Sequence, residues 1–271
     1  MIKLIAVDMD GTLLNNQKPL PQENIEALQK ASQAGCDVVL CTGRCQSGVE
    51  PYARELGLGQ DNEFAILNNG CSTFTLKDWA LVDYVTLSDQ EVKELLDRVA
   101  DYDDIYLTLT EQERFLVFAD QVPEIVAYDA SLIFTQAQTI SWSDFQAGHG
   151  RIFQAMIMGD SAALDRFHDE NCPYFDQHFS HVRSQHYIVE ALPKGTTKAS
   201  GLKALAQQLG IDRSEIMALG DAANDLEMLK FAGHSVAMGN AAASVKAVCN
   251  YQTASNDQAG VAQAIYEYVL K

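Results

Sequence analysis

Three short polar segments stand directly behind apolar runs: Asp8-Met9-Asp10-Gly11-Thr12-Leu13-Leu14 behind IKLIAV, Thr42-Gly43-Arg44 behind CDVVLC, and Gly220-Asp221-Ala222-Ala223-Asn224-Asp225 behind IMAL. In an open α/β sheet, ligands bind outside the carboxyl ends of the strands, so these are the segments whose side chains meet a ligand. Four carboxylates, Asp8, Asp10, Asp221 and Asp225, then converge. Gathered near one point in a partly dry cleft they repel one another by several kcal/mol unless a cation sits among them. A ligand set made only of oxygen indicates Mg²⁺.

The elements that must position these residues read as follows. Residues 2–7 are a strand buried on both faces, and a helix opens near Pro21, carries Ile25, Leu28 and Ala31 on one side and closes at Gly35. A strand at 36–41, a helix near 46–56 closed by Gly57 and a strand at 64–67 ending in Asn68-Asn69-Gly70 repeat the unit. It returns with a helix near 198–209 closed by Gly210, a strand at 216–219, a helix from about Asp225 to Ala232 closed by Gly233 and a strand at 235–238. Strict alternation predicts an α/β fold, a Rossmann-like open parallel sheet formed by residues 1–83 and 191–271.

Between these halves the texture changes. Ser88 and Glu91 form a capping box that opens a helix to about Ala100, and IYLTLT and RFLVFA alternate around Glu111 to Glu113 as a hairpin. Further strands at 151–158, about 178–183 and 185–191, with helices near 121–130 and 160–170, make residues 84–190 an inserted α+β domain.

Composition narrows the function classes. The 271 residues carry 19 Lys and Arg against 37 Asp and Glu, a net charge of −18 that repels nucleic acid and anionic membrane faces. Partners are therefore expected to be small molecules, with the oligomeric state left open. The apolar run at the start, broken by Asp8, is shorter than a signal-peptide core, and no window offers a membrane span, so the expectation is a cytoplasmic protein. The six cysteines lack paired spacing and read as reduced thiols. His168, Cys172, His178, His181 and His186 lie close in sequence, but Cys172 precedes Pro173, and His178 and His181, read as one strand, point to opposite faces, which argues against zinc. The segment KGTTK lacks the glycine frame of a nucleotide phosphate loop.

Taken in order, DMDGTLL, TGR, a downstream lysine and GDAAND resemble the haloacid dehalogenase superfamily of phosphatases. VAMGNAAASVKAVC with SNDQAGVAQAI resembles its Cof-type subfamily, whose inserted cap follows the third core strand. The resemblance implies that Asp8 attacks phosphorus, that Asp10 is first the acid and then the base, and that Mg²⁺ is held by Asp8, the Asp10 carbonyl and Asp221. It further implies that Thr42, the Gly43 amide, the backbone after Asp8 at Met9, Lys198 and Asn224 hold the phosphate, with Asp225 behind them bonding Lys198 or backbone. Lys198 opens a helix and occupies the family's position, with Lys194 as the alternative. Arg44, Glu111 and Arg114 are candidates for contacts to the leaving group. The implied substrate is a small phosphorylated metabolite such as a sugar phosphate, flavin mononucleotide or pyridoxal phosphate. A phosphomutase on the same scaffold and a non-catalytic phosphate-binding protein are the competing readings.

Overall fold

The computed structural model describes residues 1–60 and 63–270. They form two compact units, one of Met1–Gly43, Glu50–Tyr84 and the chain from Thr197 onward, the other of Arg44–Val49 and Val85–Thr196. Among the described residues no helix is long and apolar enough to cross a membrane.

The first unit is built on an eight-stranded sheet among the described residues. Its spatial order is Tyr251–Gln252, His234–Ala237, Ile216–Gly220, Leu4–Val7, Asp37–Cys41, Glu63–Leu67, Ser72–Thr75 and Leu81–Tyr84. The first six run parallel, and each of the last two pairs antiparallel with the strand before it. Leu4, Ile5, Ala6, Val7, Val38, Val39, Leu40, Met217 and Leu219 are all fully buried, which is why these strands read as unbroken apolar runs rather than as alternation. Leu4–Val7 lies between the other two site-bearing strands, and Val7 is level with both Leu40 and Leu219. That register brings Asp8, Thr42 and Gly220-Asp221 to one end of the sheet. It also makes this strand the point where the order reverses, the place where such sheets hold ligands.

Helix punctuation mostly follows the local chemistry. Gly35, Gly57 and Gly210 adopt the left-handed conformation behind Gln22–Gln33, Glu50–Glu55 and Lys198–Leu209. The expected glycine stop at Gly233 is different: the helix Leu226–Phe231 ends at Ala232 in extended conformation, and the Gly233 amide donates to the Arg213 carbonyl at 2.7 Å. The edge hairpin of Ser72–Thr75 and Leu81–Tyr84 escaped the sequence reading because STFT and LVDY lack a long β-branched run.

The second unit has a six-stranded sheet among the described residues, ordered Phe179–Gln185, Ile188–Pro193, Gln154–Gly159, Ile105–Thr110, Phe115–Val117 and Ala137–Thr139. All pairs are antiparallel except the last. Period-two alternation divides its two faces: Ala155 and Ile157 pack with Leu107, Val92, Leu95, Phe167 and Phe175, while Met156 and Met158 pack with Phe115, Val117, Val126 and Ala130. The helix Asp89–Val99 opens with the capping box of Ser88 and Glu91. The helix Ser161–His178 continues through Pro173, past the expected end near residue 170. Leu164, Phe167, Asn171 and Phe175 are buried along one side of it, and this packing outweighs the lost backbone bond at the proline.

Candidate active site

At the end of the central strand, Asp8 is 4% exposed and Lys198 1%. The Lys198 ammonium donates to Asp8 Oδ1 at 2.5 Å and to Asp225 Oδ1 at 2.8 Å. Lys198 reaches them because it is the first residue of its helix, held by a Thr197–Ser200 capping box. Gly70 makes room for that helix start: its φ is +103°, and a Cβ there would stand 2.0 Å from the Thr197 carbonyl oxygen. Lys194, the alternative, belongs to the second unit, where its ammonium donates to the carbonyls of Asp176 and Phe179.

Asp225 is fully buried and uses its second oxygen to accept the amides of Asp221 and Ala222, both at 3.0 Å. It thus bonds both the lysine and the backbone, and fixes the turn that presents Asp221. Asp221 Oδ1 accepts the hydroxyl of buried Thr12 at 2.8 Å. On the other side of Asp221 stands Gly11, at φ +83°, where a Cβ would lie 2.5 Å from Asp221 Oδ2. The DGT sequence is therefore a packing requirement as well as a turn. Asp10 is more open, with a side chain 40% exposed and paired to Lys18 at 2.6 Å.

The electrostatics follow from this crowding. Burial, then Asp225 and to a lesser extent Asp221, push the Asp8 carboxyl well above the ordinary carboxylate range, against the pull of Lys198. Burial and Asp225 also raise Asp221, opposed by the Thr12 hydroxyl. Burial alone would lower Lys198, but Asp225 and Asp8 more than offset it and keep the ammonium charged. Asp8 Oδ2 is buried without a hydrogen-bond partner among the described residues. Carboxylate oxygens of Asp8, Asp221 and Asp225 lie within 4.8 Å of one another. An orphaned buried carboxylate oxygen among like charges fits a hard divalent cation.

Thr42, 1% exposed, donates its amide to the Ile66 carbonyl and accepts the Asn69 amide on its own carbonyl. Met9 is buried. A Cβ on Gly43 would lie 2.9 Å from Asn69 Nδ2, and Asn224 Nδ2 donates to Asn69 Oδ1 at 3.1 Å. Asn69 thus links the segments after the second, third and fourth parallel strands in chain order, a position that sequence reading left without a role. Its one signal was its place behind an apolar strand. Thr12 was likewise visible in the motif but not as the Asp221 donor.

Arg44 is grouped with the second unit, where it donates to the Gly48 carbonyl at 3.2 Å and its charge opposes the burial that raises Asp129. Glu111 and Arg114 bond each other through two contacts of 2.6 and 2.8 Å, and Glu111 also accepts the Gly150 amide at 2.8 Å. That pair closes the hairpin. Cys41 is buried, and that burial drives its thiol far above its usual value, away from the reactive thiolate.

The sheet defines an α/β protein whose candidate site residues sit at the strand ends of a parallel sheet. The signature of the haloacid dehalogenase-like hydrolases matches residues 5–265, and the chain belongs to that family, within its Cof-type phosphatases. YxeH of Bacillus subtilis is 31% identical over 100% of this chain and 99% of its own length. The 5-amino-6-(5-phospho-D-ribitylamino)uracil phosphatase YwtE of Bacillus subtilis is 30% identical over 97% of each chain. A crystal structure of a haloacid dehalogenase-like hydrolase from Bacteroides thetaiotaomicron superposes with a TM-score of 0.89 at 30% identity, covering 98% of this chain and 99% of the other. The protein is a phosphoric monoester hydrolase.

Proposed function

We propose that this phosphatase is Mg²⁺-dependent and hydrolyses small soluble phosphate monoesters, such as sugar phosphates, flavin mononucleotide or pyridoxal phosphate, through an aspartyl-phosphate on Asp8. The observation that carries the reading is Asp8 itself, buried, with Oδ1 fixed by Lys198 and Oδ2 without a protein partner among the described residues. In this reading the residues that hold the cation are Asp8, the Asp10 carbonyl and Asp221. When bound, it neutralises the nucleophile and the phosphoryl oxygens, so that anion can approach anion.

The chain's own groups do the rest. An Asp8 oxygen forms a bond to phosphorus as the ester oxygen leaves, and Asp10 delivers the proton that oxygen needs. Asp10 then takes a proton from water, the water oxygen bonds phosphorus, the bond to Asp8 breaks, and inorganic phosphate departs. Lys198, Thr42, the Gly43 amide, the backbone at Met9 and Asn224 hold the transferring oxygens where charge builds. Choice among esters is assigned to the second unit, with Arg44 a substrate contact. The free state of Cys36, Cys41, Cys45, Cys71, Cys172 and Cys249 fits a cytoplasmic enzyme.

A panel of phosphorylated metabolites, including the ribitylaminouracil phosphate named for YwtE, tests the reading with purified protein and Mg²⁺. Release of phosphate from one or more sugar or cofactor monoesters, lost in EDTA, is expected. Undiminished hydrolysis after complete removal of metal would overturn the Mg²⁺ dependence.

A further inference from the structure

We propose that the second unit carries a site for a zinc-class divalent ion, separate in chemistry from the acidic cluster, formed by Cys172, Asp176 and His181 with His168 behind them. The helix Ser161–His178 sets His168, Cys172 and Asp176 four residues apart, on one stripe of its surface. His181 comes from the strand Phe179–Gln185 that follows at once. This geometry removes the sequence argument against the cluster: His178 ends the helix and stacks on Tyr174, so it does not share a strand with His181, and Asp176 supplies a ligand that the cysteine and histidine pattern did not include.

The donor atoms are already gathered. Cys172 Sγ stands 3.8 Å from Asp176 Oδ2, and His181 Nε2 stands 2.9 Å from Asp176 Oδ1. One ligand atom from each of the three residues lies within 4.8 Å of the others. Tetrahedral zinc with ordinary Zn–S, Zn–N and Zn–O lengths needs donor separations of roughly 3.3–3.6 Å, so these spacings require only small side-chain rotations. Asp176, 68% exposed, is free to make them, while His181, 16% exposed, is held.

Its orientation is set from behind. His181 Nδ1 faces His168 Nε2 at 3.4 Å. An imidazole bound to metal through Nε2 keeps its proton on Nδ1, and an acceptor placed there fixes both tautomer and ring. One thiolate, one imidazole and one carboxylate suit Zn²⁺ or Co²⁺, with a fourth position left for water, and disfavour Mg²⁺. The cluster at Asp8 and Asp221 offers oxygen alone. The two sites therefore select different ions.

Titration of the full-length, metal-stripped protein with Co²⁺ tests this, because thiolate-to-cobalt charge transfer reports a cysteine ligand and is silent at an all-oxygen site. The expected result is one equivalent of Co²⁺ with that band, displaced by Zn²⁺ and not by excess Mg²⁺. The band vanishes in Cys172→Ser, binding weakens at least about tenfold in His181→Ala, and it weakens about tenfold in His168→Ala through the lost orientation. Asp221→Asn leaves the band intact, which separates this site from the phosphatase reading. Circular dichroism confirms that each variant is folded. Absence of the band in the wild type, or its persistence in Cys172→Ser, overturns the proposal.

Discussion

Lys198 Nζ lies 2.5 Å from Asp8 Oδ1 although 190 positions separate the two residues. Both are buried, and the same ammonium holds Asp225. One cation thus faces two carboxylates directly, with Asp221 beside them, and the cluster is short of positive charge. The energetic consequence is that this corner of the fold depends on Lys198 and on whatever further cation binds.

Replacing Lys198 by Ala leaves two buried carboxylates without their counter-charge, a change that costs about 3–5 kcal/mol. Urea unfolding in EDTA is expected to show a loss of that size, and saturating Mg²⁺ is expected to narrow the gap to wild type. A stability equal to wild type in EDTA would contradict the dependence.

Gly11→Ala tests the placement of Asp221. The new methyl would stand 2.5 Å from Asp221 Oδ2 at a φ of +83°, so the carboxylate must move. The Mg²⁺ concentration for half-maximal activity is expected to rise at least about tenfold, the scale of disturbing a ligand's surroundings. An unchanged requirement in an active variant would remove Asp221 from the ligand set.

Much of this was legible in residues 1–83 and 191–271 because strands buried on both faces are written as apolar runs, and each run ends in the residues that line the site. The strand Ile216–Gly220 and the capped helix Lys198–Leu209 are of this kind. What was hidden depends on contacts between distant segments. Asn69 reads as a turn residue until Asn224 is seen bonded to it across 155 positions. Asp176 lies beyond the helix expected near 160–170 and carries no signal in the sequence until the helix is seen to run to His178 and His181 to turn back onto it. Pro173 reads as a helix stop, because its cost is local while the packing of Phe167 and Phe175 that overrides it is not.

The pH dependence of stability follows from Asp8. Its folded value is raised, chiefly by burial and then by Asp225, so between the unfolded value of about 3.9 and the folded one the native state binds the extra proton. Stability from this group is therefore lost as pH rises through that window. Asp221, also raised, acts in the same direction. In EDTA, the urea midpoint of wild type relative to Asp8→Asn is expected to fall as pH rises across the window, and Mg²⁺ is expected to reverse the fall. A difference that stays flat in EDTA would contradict the assignment.

The central claim is that phosphate passes through Asp8, and trapping the intermediate tests it most directly. Rapid quenching during turnover of a good substrate, followed by borohydride reduction, converts an aspartyl-phosphate to homoserine, which peptide mass spectrometry locates. Homoserine is expected at position 8 in the wild type, absent without substrate and absent in Asp8→Asn, which is expected to be inactive. Full turnover with no modification at position 8 at any quench time, or near wild-type activity in Asp8→Asn with no reversion to Asp, would contradict it.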